Sequence, residues 1–299
     1  MLDLVDTKRE LFSEAVAICR PLSYNKTKTQ LVDGVMQKKS ILNNFKHILG
    51  QYCAISQFVE LSKRCFTSEH AEDIANRDSF IALASQNSIT LTNYDADAMV
   101  NAISRSYIVN VHLCFETFLK DICVHVRKYG RKQYIEKAQE ESWLDCAVKN
   151  ITDGKLPKDK HGLYYLCEYY RLVRNSAVHD LCDVEEHKLE YRKLQKYDFK
   201  TETKFAKLSA PNEYHRISFD DFVMFARSSL ELATYLFEKI SYDYEKIILD
   251  LPDKQKNIWK TYNQERCRNA ILMYVKTLYA VDDSLDEQLP HLVDLIVAQ

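Results

Sequence analysis
The sequence predicts an all-α fold. Glycine and proline number only 5 each in 299 residues, well under average shares of roughly 7% and 5%, so the turn punctuation of β-rich folds is largely missing. Several stretches repeat apolar residues every three or four positions, the period of a helix that buries one face. A hydrophobic content of 46% is enough for one large domain or two small ones.

Residues 2–90 read as helices, in the stretches DTKRELFSEAVAICR, QLVDGVMQKKSILNNFKHIL and QYCAISQFVELSKRCF, with breaks near Pro21 and Gly50. The polar run NSITLTN then places a loose boundary at Tyr94–Asp97. A strong helix follows through AMVNAISRSYIVNVHLCFETFLKDICVHVRKYG, with Tyr107, Val111, Phe115, Phe118, Ile122 and Val126 on one face and Gly130 as its stop. A short helix surrounds Trp143, a polar connection TDGKLPKDKHG follows, and a further helix spans Leu163 to Glu186. In KFAKLSAPNEYHRISF, two moderately alternating arms around Pro211-Asn212 predict one short β-hairpin. Ser218 with Asp221 resembles a capping box, opening a helix whose face is Phe222, Ala226, Leu230, Ala233, Phe237 and Ile240. One or two helices after Pro252, through NAILMYVKTLY and HLVDLIVA, close the chain. The organisation expected is an N-terminal helical region over 1–93, regulatory or dimer-forming, a central domain over 94–249, and C-terminal helices over 250–299 packing on it.

Charge narrows the function. With 41 basic and 43 acidic residues the net charge is −2, so no global field recruits nucleic acid or an anionic membrane, and any such contact is local. No window approaches 18 uninterrupted apolar residues, and MLDLVDTKRE lacks the basic-then-apolar order of a signal peptide. Nine scattered cysteines, an odd number without a C-x-x-C pair, read as free and mostly buried thiols of a reducing compartment. A cytoplasmic protein without a membrane partner is expected, and no zinc ligand set is organised in the sequence.

RNSAVHD, residues 174–180, stands out within the 163–186 helix. On a wheel of 100° per residue, Leu166, Tyr170, Val173, Ala177, Leu181 and Val184 line a core-facing stripe. Asn175 and His179 fall together on the opposite side, with Asp183 continuing their row and Arg171 and Arg174 on its flank. Leu172, Cys182 and Val178 make that far face more apolar than a wet surface needs, and imply a second contact there. Arg174 and His179 are five positions apart, so their Cα vectors diverge by roughly 140°. Arg174 can swing round, or a two-fold dimer can bring two copies of each residue to one groove.

An imidazole and a permanent cation suit phosphodiester chemistry on RNA. The imidazole accepts the proton of a ribose 2′-hydroxyl as it attacks phosphorus, or donates one to the leaving oxygen. The guanidinium binds phosphate oxygens and stabilises charge built in the transition state. Asn175 would orient the imidazole or bind substrate, and no metal is required. A solvated polar face is the competing reading of the same residues.

The run Arg174-Asn175-x-x-x-His179 in an all-helical setting resembles the HEPN (higher eukaryotes and prokaryotes nucleotide-binding) superfamily, whose ribonuclease members carry Arg, a polar residue, three free positions and His. The helix YIVNVHLCFETFLKDI, with Glu116 amid apolar residues, and the segment HRISFDDFVMFARSSLELATYL resemble the flanking helices of that family. Arg268-Asn269 opens the same motif but has Met at 273. The resemblance covers about residues 95–248 and implies a HEPN-like helical bundle with flanking helices, acting as a metal-independent endoribonuclease. It implies a homodimer with Arg174 and His179 of both copies in one cleft, an RNA substrate contacted also by Arg171, and no cofactor. It further implies service as a toxin or antiviral, abortive-infection effector, with an antitoxin or sensor protein as partner. One toxin branch carries a modifiable Tyr two residues after the His; here that position is Leu181.

Other constellations compete. His179, Asp183, Glu186 and His187 have ligand chemistry at helical spacing, although late-helix carboxylates are more often solvated. His112 and Glu116 form an i, i+4 pair, read as a helix-surface interaction or as support for the motif helix. Tyr164, Tyr165, Tyr169 and Tyr170 stack bases or pack, and packing is favoured. The lysines of GKLPKDKHG form a solvated connection or a phosphate contact. There is no P-loop, dinucleotide fingerprint, G-x-S-x-G or H-E-x-x-H. The alternative function class is a non-catalytic helical binding module that docks a partner protein or nucleotide through the same face.

Overall fold
A computed structural model describes residues 41–91, 94–179, 184–278 and 284–297. Twelve α-helices occupy these residues: α1 (Ile41–Glu69), α2 (Ala71–Ala75), α3 (Arg77–Gln86), α4 (Ala96–Tyr129), α5 (Trp143–Thr152), α6 (Lys158–His179), α7 (Val184–Leu194), α8 (Phe219–Glu238), α9 (Tyr244–Leu249), α10 (Asp253–Lys260), α11 (Gln264–Leu278) and α12 (Ser284–Val297). Two 3-10 turns, Phe199–Thr201 and Tyr214–Arg216, lie between α7 and α8. The all-α expectation is therefore met. Among the described residues no helix is long and apolar enough to cross a membrane.

The chain divides into two compact units, each assembled from separated segments. The first contains His47–Cys114 and Gly162–Ser228. Its core includes Tyr107, Ile108 and Val111 of α4, Leu166, Tyr170 and Val173 of α6, and Phe222 and Phe225 of α8. Tyr107 meets Phe222 at 5.7 Å, and Tyr170 meets Phe225 at 4.9 Å between ring centroids, within the range of favourable aromatic pairs. The second unit contains residues 41–46, Phe115–His161 and Ser229–Gln299. In it Phe45 packs on Phe118 at 5.0 Å, and α12 packs on α9, α10 and α11.

The apolar face read for the long helix is correct at every position: Tyr107, Val111, Phe115, Phe118, Ile122 and Val126 are all buried. Gly130 ends that helix by space rather than by a left-handed backbone. Its N–H donates to Val126 O at 2.8 Å, and a Cβ there would stand 2.5 Å from the same oxygen. Gly50, by contrast, does not break α1. Nothing lies within 4 Å of its would-be Cβ, and the buried Leu42, Phe45, Leu49 and Cys53 outweigh a glycine cost of about 1 kcal/mol.

The hairpin expected around Pro211-Asn212 does not form. The described residues contain one isolated β-bridge, Gly130 with Tyr242. The polar backbone of the 209–218 segment is satisfied instead by carboxylates: Ser209 N–H donates to Asp220 at 2.8 Å, and the N–H groups of Asn212 and Ser218 donate to Asp221 at 2.8 Å each. A strand partner is then unnecessary. The Ser218–Asp221 contact is the one read as a capping box, and it opens α8 as expected.

Of the seven described cysteines, six are buried, Cys65 is exposed, and all are free thiols. The N-terminal stretches before residue 41, with Cys19, and Cys182 lie outside the described residues.

Candidate functional site
α6 carries Arg171, Arg174 and Asn175 and ends at His179. It starts at Lys158, within the stretch read as a polar connection, and its described residues run to His179; the expected end at Glu186 lies beyond residues 180–183, which are outside the described residues. Near its start Gly162 allows close approach of an aromatic segment, because a Cβ there would meet Phe199 Cε1 at 3.1 Å and Tyr197 Cδ1 at 3.3 Å.

One broad face of α6 is buried. Leu163, Leu166, Cys167, Tyr169, Tyr170, Leu172, Val173 and Ser176 are all covered, a sector of about 220° on an ideal wheel. The stripe read from sequence needs correction at Ala177, which is exposed, whereas its neighbour Ser176 is buried. Leu172, read on the far face, is buried within the chain itself. Leu181, Asp183 and Cys182 lie outside the described residues, as does the side chain of Val184. The uncovered sector holds the partly exposed Arg171 and Asn175 and the exposed Val178, and the partly exposed Arg174 lies at the edge of the covered arc.

A buried carboxylate holds this helix one turn before the motif. The Tyr170 hydroxyl donates to Asp221 Oδ1 at 3.0 Å. Asp221 also accepts from the Asn212 side chain at 2.7 Å and from Ser218 Oγ at 2.9 Å, besides the two backbone N–H groups. Burial pushes the Asp221 carboxyl above its usual range, and the donors from Asn212 and Ser218 pull it back down. Burial, reinforced by Asp221, raises the Tyr170 hydroxyl well above its ordinary value, so it remains a donor. Tyr169, equally buried, donates to Asn212 O at 2.6 Å. Both tyrosines therefore pack, and neither offers a face to a base.

Within the motif, Arg174 Nη1 donates to Asn175 Oδ1 at 2.9 Å. Asn175, read as orienting the imidazole or binding substrate, here accepts from the guanidinium. Arg171 Nε donates to Glu168 Oε2 at 2.8 Å, an ion pair one turn back along α6. The backbone of His179 is the last of α6; its side chain lies outside the described residues.

Ser176 and His187 form a pair that no local spacing announces. Ser176 Oγ lies 2.6 Å from His187 Nε2, and both residues are buried. The His187 ring rests on Tyr214 at 4.7 Å and meets Tyr169 edge-on at 6.4 Å. This hydrogen bond ties α7 to the motif turn. It removes His187 from the surface constellation read as a metal site; the side chain of His179 and the whole of Asp183 lie outside the described residues, and Glu186 is exposed. Among the described residues no cluster of three His, Cys, Asp or Glu side chains is placed to hold a metal ion. Glu116 pairs with Lys120 at 3.0 Å, and His112 is buried. Comparison with protein-family models, with curated proteins and with solved structures gave no match to this chain.

Proposed function
We propose that the chain is a metal-independent endoribonuclease of the HEPN type, with the partly exposed residues at the end of α6 as its catalytic face. The observation that carries this reading is the 2.9 Å hydrogen bond from Arg174 to Asn175, on a helix end fixed from below by Tyr170–Asp221 and Ser176–His187. A neutral side-chain oxygen accepts from the guanidinium, a group suited to binding phosphate oxygens.

In the proposed step, His179 takes the proton of a ribose 2′-hydroxyl as that oxygen bonds to the adjacent phosphorus. The bond from phosphorus to the 5′-oxygen breaks, and the leaving oxygen takes a proton from an imidazolium. The products are a 2′,3′-cyclic phosphate and a 5′-hydroxyl. Arg174 stabilises the equatorial phosphate oxygens, Asn175 orients Arg174, and Arg171 contributes to binding. A second copy supplying another Arg174 and His179, use as a toxin or antiviral effector, and control by an antitoxin or sensor belong to the same proposal. The test is expression of the chain beside its His179→Ala variant with sequencing of RNA ends. New 5′-hydroxyl ends that vanish in the variant support the reading, and identical RNA in both overturns it.

A further inference from the structure
We infer that the half-buried tyrosines at the start of α6 and the basic segment 188–207 form a platform for single-stranded RNA that leads to the motif face. The choice of RNA rests on the endoribonuclease reading, whereas the surface itself rests on charge and packing. Segment 188–207 carries seven Lys and Arg against three acids, in a chain whose net charge is −2. An anionic partner is therefore met locally, and this is a place to meet it. All three acids are already engaged. Glu190 pairs with Lys193 at 2.5 Å and Glu202 with Lys204 at 2.7 Å, while Asp198 accepts from the Lys200 backbone N–H at 3.1 Å. Arg192, Lys196 and Lys200 are exposed and make no ion pair among the described residues.

Packing within one compact unit brings this segment onto α6. Gly162 lets Tyr197 and Phe199 close against the helix. Tyr165 of α6 meets Tyr197 at 5.8 Å between ring centroids, and Tyr164 meets Tyr165 edge-on at 5.3 Å. Tyr169 and Tyr170 are fully buried, but Tyr164, Tyr165 and Tyr197 are only half-buried, so part of each ring stays open to a ligand. Tyr164 also begins the open face of the helix. Tyr164, Glu168, Arg171, Asn175 and Val178 follow one another at four- and three-residue steps, and none of the five is buried. The face runs about 16 Å from Tyr164 to Asn175. Its one acid, Glu168, pairs with Arg171 at 2.8 Å. Exposed cations beside a row of rings, continuous with further polar groups, are the composition of a single-strand site, where Lys and Arg neutralise phosphates and bases stack on aromatic faces. An acidic protein segment would use the cations and leave the rings idle. The rings are what select a nucleic acid.

The test is fluorescence anisotropy of the full chain with a labelled, fully 2′-O-methylated single strand of about 12 nucleotides. This probe has no free 2′-hydroxyl for the proposed step, so it reports binding alone. The double variant Lys196→Ala, Lys200→Ala should bind about tenfold more weakly at about 0.1 M salt, and its log–log salt slope should flatten by about 1.4, two phosphate contacts at about 0.7 each. Tyr164→Leu and Tyr197→Leu should each weaken binding about tenfold with the slope unchanged. Lys254→Ala, at an exposed cation of α10, should bind as the parent does. Circular dichroism checks that helix content is equal throughout, and the exposed lysine pair keeps the test decisive where a tyrosine variant unfolds. A parent that does not bind the strand, or lysine variants that bind like the parent, overturns the inference even where the parent cuts RNA. So does loss confined to the lysine variants while both folded tyrosine variants bind normally, which describes an anion contact of the kind an acidic protein would make. Binding that follows the platform in a parent that cuts no RNA contradicts the endoribonuclease reading and leaves the platform standing.

Discussion
At the scale of single residues, the motif divides into a cation, its orienting group and an imidazole position at the helix end. Arg174 and Asn175 are adjacent in sequence and bonded at 2.9 Å. The Asn175→Ala variant removes that acceptor but touches no core contact. RNA cleavage should fall about tenfold, roughly 1.4 kcal/mol in the barrier, while urea unfolding shifts by less than about 0.5 kcal/mol. Arg174, Asn175, His179 and Arg171 were legible because their residue types break a Tyr- and Leu-rich helix. His187 was not legible. Directly after Glu185-Glu186, it reads as a surface group, and only the fold reveals that Ser176 Oγ lies 2.6 Å from its ring. Hydrogen bonding decides the fate of a buried histidine, and partners eleven residues apart are not encoded in local spacing.

At the scale of elements, α6 is steered by α8. Asp221 sits in the first turn of α8, fully buried, and receives donors from Tyr170, Asn212 and Ser218. The Asp221→Ala variant strands these donors away from water and should cost on the order of 3 kcal/mol in chemical denaturation. The same carboxylate explains why the helices were read well and the 209–218 segment was not. Apolar spacing marks a helix face because burial follows the 3.6-residue period, and all six positions of the α4 face are buried. An irregular segment is held by individual side chain to backbone bonds, and alternation of apolar residues around Pro211 imitates a strand. At the end of α6 the stripe departs from the spacing at Ala177, which is exposed, while the side chains of Leu181 and Val184 lie outside the described residues.

At the scale of the whole molecule, stability couples to pH through groups buried in the wrong charge state. His125 packs edge-on against Tyr129 at 5.0 Å and Tyr242 at 5.5 Å, and burial, with Lys128 adding to it, lowers its pKa to about 4. The unfolded chain takes up the proton near pH 6.5, before the folded chain does. This contribution is therefore complete above pH 6.5 and is lost as pH falls through about 4, a change of about 2–3 kcal/mol. Asp221 works in the opposite sense. Its raised carboxyl favours the folded chain below the ordinary carboxylate range and loses that advantage as pH rises through its raised value. Unfolding curves of the parent and His125→Phe at pH 7 and pH 4 should show the acid loss shrinking in the variant by that amount. The all-α class was visible from 5 glycines and 5 prolines. The division into two units was hidden, because each gathers segments far apart in the chain, and contacts of that range leave no trace in local composition. The central claim is that the end of α6 cuts RNA, and its most direct measurement is single-turnover cleavage of RNA by the purified chain beside His179→Ala at equal helix content. The account predicts 2′,3′-cyclic phosphate ends from the parent and none from the variant. Equal cleavage by both, or binding of a partner that His179→Ala weakens with no cleavage by either, would contradict it.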